Sequence, residues 1–354
     1  MEFDKYVGLD VHKASIVSCV VNSQGQRILE SLVATKAEAV RDLLGGIGGR
    51  VAVALEEGTH AAWLYEVIKP LVAEVVVCDA RVVKGSLGVN KSDRADAHKL
   101  AELLRLGGLR PISHGHEGTQ RLKQLVHGYD SLVKDATRLK NRIKALSRGR
   151  GIETPGRAVY RRDQREAWLG RLTAPGVRER AEWYYAALDQ LQELRRKARV
   201  AMVRESRQQP AAAWLVTIPG LGPIRVAYLL AAVGTPHRFR SRRQFWNYCG
   251  LAVVTAASAE YEMIDGQVRK KTKATATRGL NQHHNHRLKE LFKSAALRVQ
   301  SEPGFAQLYE ALLEAGRRPE LARLQLARKL AALTLSLWKK GVGFVPERLI
   351  SQSV

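Results

Sequence analysis

Acidic residues near the start of the chain have types and surroundings that suit a divalent-metal site. Asp10 interrupts the apolar run from Tyr6 to Val11, whose composition is typical of a strand. A carboxylate in a buried strand is costly unless a cation or a hydrogen-bond donor meets it. Asp10 also fits the end of a strand, where its carboxylate is solvated or caps a turn. The metal interpretation therefore depends on further carboxylates downstream.

A second acidic position follows another apolar run. Glu56 and Glu57 come directly after the predicted strand 51–55. In open α/β sheets, ligands bind beyond the carboxyl ends of the strands, which makes Glu56 a candidate ligand. The alternative is that both acids begin the next helix, where the helix dipole favours negative charge.

A third acidic segment opens a predicted helix. Asp93 and Asp96 are three residues apart, so their carboxylates project from one helix face. Such a pair either complements the helix dipole or holds a divalent cation. Lys91 and Arg94 flank the pair and are candidates for contact with phosphate.

The elements that must position these acids form an α/β pattern. Three apolar runs, 6–11, 16–21 and 27–32, are close enough in the chain to form an antiparallel meander. Two further strands, 51–55 and 75–78, alternate with predicted helices. This order is expected of an RNase H-like α/β sheet.

The net positive charge of the chain is confined to residues 111–354. Residues 1–110 hold 14 Lys and Arg and 14 Asp and Glu, whereas residues 111–354 hold 44 and 20, and so carry the whole net charge of +24. A polycation of this kind indicates a polyanionic partner. A carboxylate-bearing part joined to a basic part suits an enzyme that acts on nucleic acid, although a basic protein without chemistry fits the charge equally.

Two long helices are predicted in the next part of the chain. The first has a heptad seam at Leu122, Leu125, Tyr129, Leu132, Ala136, Leu139, Ile143 and Leu146. Basic residues decorate its outside, and Arg138 and Arg142 among them are candidates for nucleic-acid contact. The second helix spans about 177–206, with Leu194 among its seam positions. We interpret the two helices as an oligomerisation arm that also binds nucleic acid. The alternative is that they form a hairpin within one chain and that their charges are solvated.

A glycine-containing turn follows the arm. Gly220 and Gly222 permit a tight turn between apolar helices, typical of a helix-hairpin-helix that offers backbone N–H groups to phosphate. Arg225 would add charge, and Arg240 belongs to a mixed basic and aromatic stretch that suits stacking plus phosphate contact. A plain helical turn and a buried aromatic face are the alternatives.

The cysteines and the apolar runs indicate a cytosolic protein. Cys19, Cys78 and Cys249 are isolated in apolar contexts, as expected of reduced core residues. The start of the chain lacks the apolar segment of a signal peptide. The longest apolar run, 211–234, is too interrupted by Pro and Arg to cross a bilayer, so we predict no membrane partner.

Motifs in both halves of the chain resemble the DEDD transposases of insertion sequences. In the N-terminal domain they are GLDVHK at 8–13, LEEG at 55–58 and KSDRADA at 91–97. The resemblance to the C-terminal domain of that family starts at Gly250-Leu251 and continues through Ser258. A basic segment follows the serine, with Lys270, Lys271 and Arg278 as candidates for nucleic-acid contact.

The resemblance implies roles for particular residues. The four acids that hold magnesium, or another divalent metal, fall on Asp10, Glu56, Asp93 and Asp96. The residue after the glutamate is usually small in this family, and here it is a second Glu. The nucleophile falls on Ser258, which would form a phosphoserine link to DNA and allow strands to be rejoined. The acids and the serine would then make a composite site in a dimer or tetramer.

The family also implies partners and an organisation. The partners are double-stranded DNA and a structured guide RNA, and the location is the bacterial cytoplasm, at the nucleoid when bound to DNA. We predict an α/β RNase H-like (RuvC-like) domain at 1–110 and a helical coiled-coil arm at 111–210. A mainly α transposase domain at 211–354 would contain the helix-hairpin-helix-like segment and the serine. Two alternatives are a metal-dependent, resolvase-like nuclease that uses water and a non-catalytic nucleic-acid-binding protein.

Overall fold

The chain divides into two compact units, Met1–His116 and Glu117–Val354. The structure is a computed structural model, and it describes residues 3–79, 92–109, 111, 119–256, 261–264, 267–270 and 276–346. The first boundary falls close to the predicted end of the acid-bearing domain. The separation of the second unit into an arm and a C-terminal domain stays a prediction.

The first unit is built on a five-stranded mixed sheet. Its strands are β1 (Lys5–Val11), β2 (Ser15–Asn22), β3 (Arg27–Ala34), β4 (Val51–Glu56) and β5 (Glu74–Cys78). The spatial order is β3-β2-β1-β4-β5. The β3–β2 and β2–β1 pairs are antiparallel, and the β1–β4 and β4–β5 pairs are parallel. The predicted meander and the strands that follow it are therefore confirmed, and the RuvC-like assignment stays a prediction.

Helices cover both faces of this sheet. They are α1 (Ala37–Gly45), α2 (Ala61–Ile68) and α3 (Asp93–Arg105). Val7 and Leu9 of β1 point into a core with α1 and α2. Tyr6 faces the other way and packs with Ala97 of α3. Because side chains alternate along a strand, Gly8 and Asp10 share the α3 face with Tyr6.

Gly8 sets the distance between α3 and the sheet. A methyl group built on Gly8 would lie 2.0 Å from the carbonyl oxygen of Ala97 and 2.6 Å from the amide nitrogen of Ala101. The backbone of α3 therefore lies directly on β1, an approach that only a residue without a side chain permits. This contact fixes the position of the helix whose first turn carries Asp93 and Asp96.

We expect Gly8→Ala to lower both stability and catalysis. The methyl group must displace α3, and overpacking of this kind costs about 1–3 kcal/mol of unfolding free energy. Chemical denaturation measures the loss of stability, and an assay of DNA strand cleavage, the activity that the family resemblance implies, measures the effect on catalysis. Gly45→Ala is the control, since no atom lies within 4 Å of the added methyl group. An unfolding midpoint equal to that of the wild type would contradict this role of Gly8.

The second unit is mostly helical. Its helices are α4 (Gln120–Arg148), α5 (Arg165–Leu169), α6 (Val177–Ser206), α7 (Ala211–Leu215), α8 (Pro223–Val233), α9 (Arg242–Tyr248), α10 (His286–Val299), α11 (Phe305–Glu314) and α12 (Pro319–Lys340). Short 3₁₀ turns lie at Ala158–Tyr160, Arg162–Gln164 and Pro236–Arg238. No helix in the described part of the chain is long and apolar enough to span a membrane.

Two β-ribbons interrupt the helices, and the sequence interpretation missed them. Strand β6 (Val253–Ala256) pairs antiparallel with β9 (Ala276–Leu280), and β7 (Tyr261–Ile264) pairs antiparallel with β8 (Gln267–Lys270). These strands of four or five residues are short enough to escape a periodicity analysis.

The predicted heptad seam packs within the chain. Helices α4 and α6 lie against each other, and Ile143 of α4 packs with Tyr185 and Leu188 of α6. At the other end of the pair, Leu122 and Met202 join the core of the C-terminal helices. Leu194, predicted to belong to the seam, is instead 49% exposed. An intramolecular helix pair thus accounts for most of the seam, and a coiled coil between copies stays a prediction.

Candidate metal-binding carboxylate centre

Two of the predicted acids lie side by side where parallel strands end. Leu9 of β1 is opposite Leu55 of β4, so the next residues, Asp10 and Glu56, stand at the same level of the sheet. Both lie on the α3 face because they alternate with the two leucines, which face the opposite core. Asp10 and Glu56 line one open cavity of about 580 Å³. Glu56 is the last residue of β4, as the strand-end prediction expects, whereas Asp10 lies inside β1, one residue before its end.

The other two acids lie in the first turn of α3. Ser92 caps this helix, since its hydroxyl accepts a hydrogen bond of 3.2 Å from the amide of Ala95. The cap starts the helix at Asp93 and thereby fixes the direction of Asp93 and Asp96 over the sheet. Asp93 is exposed, and Asp96 is half-buried.

His12 joins the two halves of the centre. Its Nε2 atom lies 3.2 Å from Oδ2 of Asp10 and 3.3 Å from Oδ2 of Asp93. One ligand atom from each of these three residues can be chosen so that all lie within 4.8 Å of one another. The backbone of His12 is held, because its amide donates to the Ser15 carbonyl and its carbonyl accepts from the Thr35 hydroxyl, both at 2.9 Å.

The sequence interpretation did not identify His12 as a site residue. The available signal was its position two residues after Asp10, which puts both side chains on the same face of an extended segment. The signal is weak because β1 ends at Val11, and alternation is assured only within a strand.

The electrostatics of the centre favour a cation. Burial raises the pKa of the Asp10 carboxyl above its usual value, and the nearby carboxylates of Asp93 and Asp96 raise it further, whereas His12 lowers it. A bound cation would offset the repulsion among these carboxylates and favour the ionised form of Asp10.

The donor set fits a hard divalent ion. Carboxylate oxygens are the ligands that Mg²⁺ and Mn²⁺ prefer, and an imidazole nitrogen is tolerated by Mn²⁺ more readily than by Mg²⁺. The side chain of Asp10 is 16% exposed and that of Asp93 is 61% exposed. One side of the centre is therefore buried in the sheet, and the other is open to solvent and to a substrate.

The basic residues predicted to contact nucleic acid have different surroundings. Arg94 is exposed in the first turn of α3. Arg138 is exposed and forms a 2.7 Å ion pair with Asp135. Arg142 is exposed beside a shallow groove that Arg150 and Arg180 also line. These positions are compatible with phosphate contact, which stays a prediction for each of them.

The glycine turn is built tightly into the helical core. Gly220 has φ +78°, and a methyl group on it would lie 2.9 Å from Cγ1 of Val299, so glycine is required there. Gly222 is the N-cap of α8. Arg225 turns inward, donating to the Gly220 carbonyl at 2.7 Å and to the Ser294 hydroxyl at 3.2 Å, and burial lowers its pKa. Its observed contacts brace the turn, and its contact with phosphate stays a prediction.

Several predicted residues lie outside the described residues. These are Lys91, Ser258 and Lys271. Lys270 lies in β8 and Arg278 in β9, and both strands follow the serine in the sequence.

Two protein-family models match separate parts of this chain. A family model described as a transposase, of the DEDD type found in IS110 elements, matches residues 7–148, a range that includes all four acids. A second model, described as the transposase IS116/IS110/IS902 family, matches residues 212–310, which include Ser258.

Curated proteins with detectable similarity are transposases by name. A putative transposase y4pF/y4sB of Sinorhizobium fredii is 25% identical over 346 residues, which are 96% of this chain and 85% of that protein. The transposase for insertion sequence element IS1111A of Coxiella burnetii is 25% identical over 276 residues, 74% of this chain and 72% of its own length. The transposase for IS1328 of Yersinia enterocolitica is 26% identical over 208 residues, 56% and 60% of the two chains.

Proposed function

Because the chain belongs to the DEDD transposases of insertion sequences, we propose that it moves such an element by metal-dependent cleavage and rejoining of DNA strands. The observation that supports this proposal most directly is the carboxylate centre. Asp10 and Glu56 meet at the ends of two parallel strands, and Asp93 lies across His12 from Asp10.

Each residue of the centre has a distinct part in this proposal. Asp10, Glu56, Asp93 and Asp96 hold a divalent ion, with magnesium as the proposed metal. When bound, the ion supplies electrostatic stabilisation of the charge that develops on the scissile phosphate. Asp10 is the buried anchor, and the exposed Asp93 faces the substrate side. His12 orients both carboxylates through its Nε2 atom.

Ser258 is the proposed nucleophile. Its hydroxyl oxygen forms a bond to phosphorus while the bond from phosphorus to the leaving strand's oxygen breaks. The serine proton passes to a base or to water, and the leaving oxygen takes up a proton to become a hydroxyl. The phosphoserine ester keeps the phosphodiester energy, so attack by another strand's hydroxyl rejoins DNA without ATP. The match of the second family model across residues 212–310 supports this assignment.

The basic part of the chain binds the nucleic acids in this proposal. Residues 111–354 carry the whole net charge of +24, and double-stranded DNA and a structured guide RNA are the proposed polyanions. A homodimer or tetramer is the proposed assembly. The water-using nuclease remains a second candidate, because the carboxylate centre lies wholly within the first unit and does not need the serine.

Removal of divalent metal tests the proposed role of the centre. We expect EDTA to abolish strand cleavage of element-end DNA by the purified full chain, because phosphoryl transfer loses its charge stabilisation. DNA binding, measured by electrophoretic mobility shift in the same buffer, should persist, since it depends on the basic residues. Added Mg²⁺ should restore cleavage. Cleavage at the full rate in EDTA would rule the metal mechanism out.

A further inference from the structure

A basic pocket in the second unit takes no part in the proposed chemical steps, and one of its residues, Arg240, is among those predicted from the sequence to contact nucleic acid. It lies between the start of α9 and one face of α12 and has a volume of about 420 Å³. Its cationic lining residues are Arg240, Arg242, Lys329, Lys339 and Lys340. We call this the α9–α12 pocket. Its lining residues include no acidic side chain in the described part of the chain.

The face of α12 that lines the pocket has an ordered arrangement. Lys329, Leu333, Ser336 and Lys340 follow one another at intervals of four, three and four residues, so they share one face of the helix. A lysine thus stands at each end of the face, with an apolar and a small polar residue between them. This spacing places two cations about 16 Å apart along the helix axis, at 1.5 Å per residue.

Three cations of the pocket differ from several arginines of the arm in having no acidic partner within the described residues. Arg165 and Arg196 are neutralised by Asp189 and Glu193 at 2.7 and 2.8 Å. By contrast, no ion pair joins Arg240, Lys329 or Lys340 to an acidic residue among those that the structure describes. Like charges held together without counter-charges repel one another, and an anionic ligand relieves that repulsion.

The helix dipole explains only part of this cluster. Lys339 and Lys340 lie in the last turn of α12, where cations complement the negative end of the helix. The Lys339 ammonium also donates to the Phe239 carbonyl, so this residue has a structural contact. Lys329 lies three turns earlier, and Arg240 and Arg242 come from a different segment. The helix dipole therefore does not explain why Lys329, Arg240 and Arg242 line the pocket.

Part of the pocket lining is apolar. It includes Leu333, Phe344 and Val345, which we call the apolar floor, and Val345 is 42% exposed. The Phe344 ring stacks on Phe305, with 6.5 Å between ring centroids, and its amide donates to the Thr217 hydroxyl at 2.7 Å. The floor is therefore held in place. An apolar floor beside cations suits a ligand in which a flat base is attached to a phosphate.

The size of the pocket restricts the ligand further. A volume of about 420 Å³ lies in the range of small-molecule sites. A duplex keeps its bases stacked inside and presents mainly phosphates, so it could not reach the apolar floor. An unpaired base, splayed out of a strand, exposes both its flat face and its phosphate.

We propose that the α9–α12 pocket binds one unpaired nucleotide of a nucleic-acid strand. The phosphates contact the arginines and lysines, and the base lies on Leu333 and Phe344. The inference rests on the proposed function, since it assumes a nucleic-acid substrate. Single-stranded DNA and an unpaired segment of RNA offer the same chemistry, and the experiment below distinguishes them.

The test compares single-stranded and duplex probes on the full chain. Fluorescence anisotropy gives Kd for a labelled 12-nucleotide deoxy strand, the ribo strand of the same sequence, and a blunt duplex of the deoxy strand. One variant removes charge, Lys329→Gln with Lys340→Gln. A second, Ser336→Trp, fills the pocket without changing charge. The matched control, Lys293→Gln with Arg317→Gln, removes two cations that are exposed elsewhere on the unit. Thermal unfolding checks that each variant is folded.

We expect both pocket variants to weaken single-strand binding by about tenfold or more, since stacking and phosphate contacts are lost together. The charge variant should also reduce the salt slope for single strands by about 1.4, at about 0.7 per phosphate contact. Duplex binding should fall no further than in the control. Tighter binding of the ribo strand identifies RNA as the source of the nucleotide, tighter binding of the deoxy strand identifies DNA, and equal binding means that phosphate and base alone are recognised.

Two results would overturn the pocket assignment. One is unchanged single-strand affinity in the charge variant or in a folded Ser336→Trp protein. The other is an equal loss on single strands and duplex in the pocket and control variants. If the wild type binds all probes and these results appear, the pocket assignment fails and the proposed function stands. If the wild type binds no probe, the proposed function itself fails.

Discussion

Asp10→Asn, Glu56→Gln, Asp93→Asn and Asp96→Asn should each reduce DNA strand cleavage by about 10²–10³-fold, the scale at which loss of one transition-state-stabilising group acts. Each change keeps the shape of the side chain and removes one negative charge from the metal centre. DNA binding should persist, because the net positive charge resides in residues 111–354. Single-turnover cleavage at saturating protein measures the chemical step, and a mobility shift measures binding.

The neighbouring acid provides a matched control for these variants. Glu57 follows Glu56 and lines the same cavity, but it lies one residue beyond the end of β4. Glu57→Gln removes the same charge at nearly the same place and should leave the cleavage rate within about threefold of the wild type, since a charge that does not bind the metal acts only at longer range. If Glu57→Gln abolishes cleavage and Glu56→Gln does not, the ligand has been assigned to the wrong residue.

Asp10→Asn should also change stability in a way that depends on metal. The pKa of Asp10 is raised in the folded protein, chiefly by burial, so the folded state disfavours the ionised carboxylate. Protonated Asp10 therefore stabilises the folded state at pH values below the pKa of Asp10 in the unfolded chain. This stabilisation is lost as the pH rises through the pKa of Asp10 in the folded protein. At pH 7 in EDTA, Asp10→Asn should therefore raise the Tm. Magnesium should raise the Tm of the wild type and leave that of the variant unchanged, because binding to the folded state stabilises it.

The sequence was sufficient to predict the mixed α/β sheet of the first unit, and it identified three acid-bearing segments as candidate metal ligands. Asp10 and Glu56 could be recognised because one interrupts an apolar run and the other follows one, and parallel strands present their ends at one edge of a sheet. Asp93 and Asp96 could be placed on one face because helix geometry fixes residues three apart. Gly8, in contrast, could not be recognised as the contact of α3, because that contact joins residues about 90 positions apart in the chain.

The second unit was less predictable because its important contacts are long-range. The direction of Arg225 depends on Ser294, which lies 69 residues further on. The α9–α12 pocket requires Arg240 and Lys329 to meet, and no local pattern connects them. Leu194 lies at helical spacing from Leu191 and Ala198, yet it is 49% exposed in α6. Periodicity identifies the apolar face of a helix, and it does not say which part of that face finds a partner.

Ser258→Ala should abolish recombination and prevent any covalent attachment of protein to DNA, while DNA binding stays intact. A serine hydroxyl is a weak nucleophile at neutral pH and attacks only where its surroundings activate it. Alanine has no oxygen for those surroundings to activate, so the attack on phosphorus is lost. Reactions stopped with detergent and digested with protease should give, for the wild type only, a nucleotide attached to a peptide that contains Ser258, identified by mass spectrometry. Ser301→Ala, an exposed serine of the same unit, is the control and should retain the adduct.

The same variant distinguishes the two candidate mechanisms. If serine is the nucleophile, Ser258→Ala yields neither adduct nor cut DNA, because the attacking oxygen is missing. Asp93→Asn also loses the adduct, because charge on the phosphate is no longer stabilised. If water is the nucleophile, Ser258→Ala still cuts DNA and leaves free ends, and only the carboxylate variants are inactive. Ser258→Cys refines the assignment. A thiol ionises more readily than a hydroxyl, so its reaction at phosphorus would respond differently to pH. A wild-type reaction that cuts DNA with full activity but yields no adduct would make the water-using nuclease the correct mechanism.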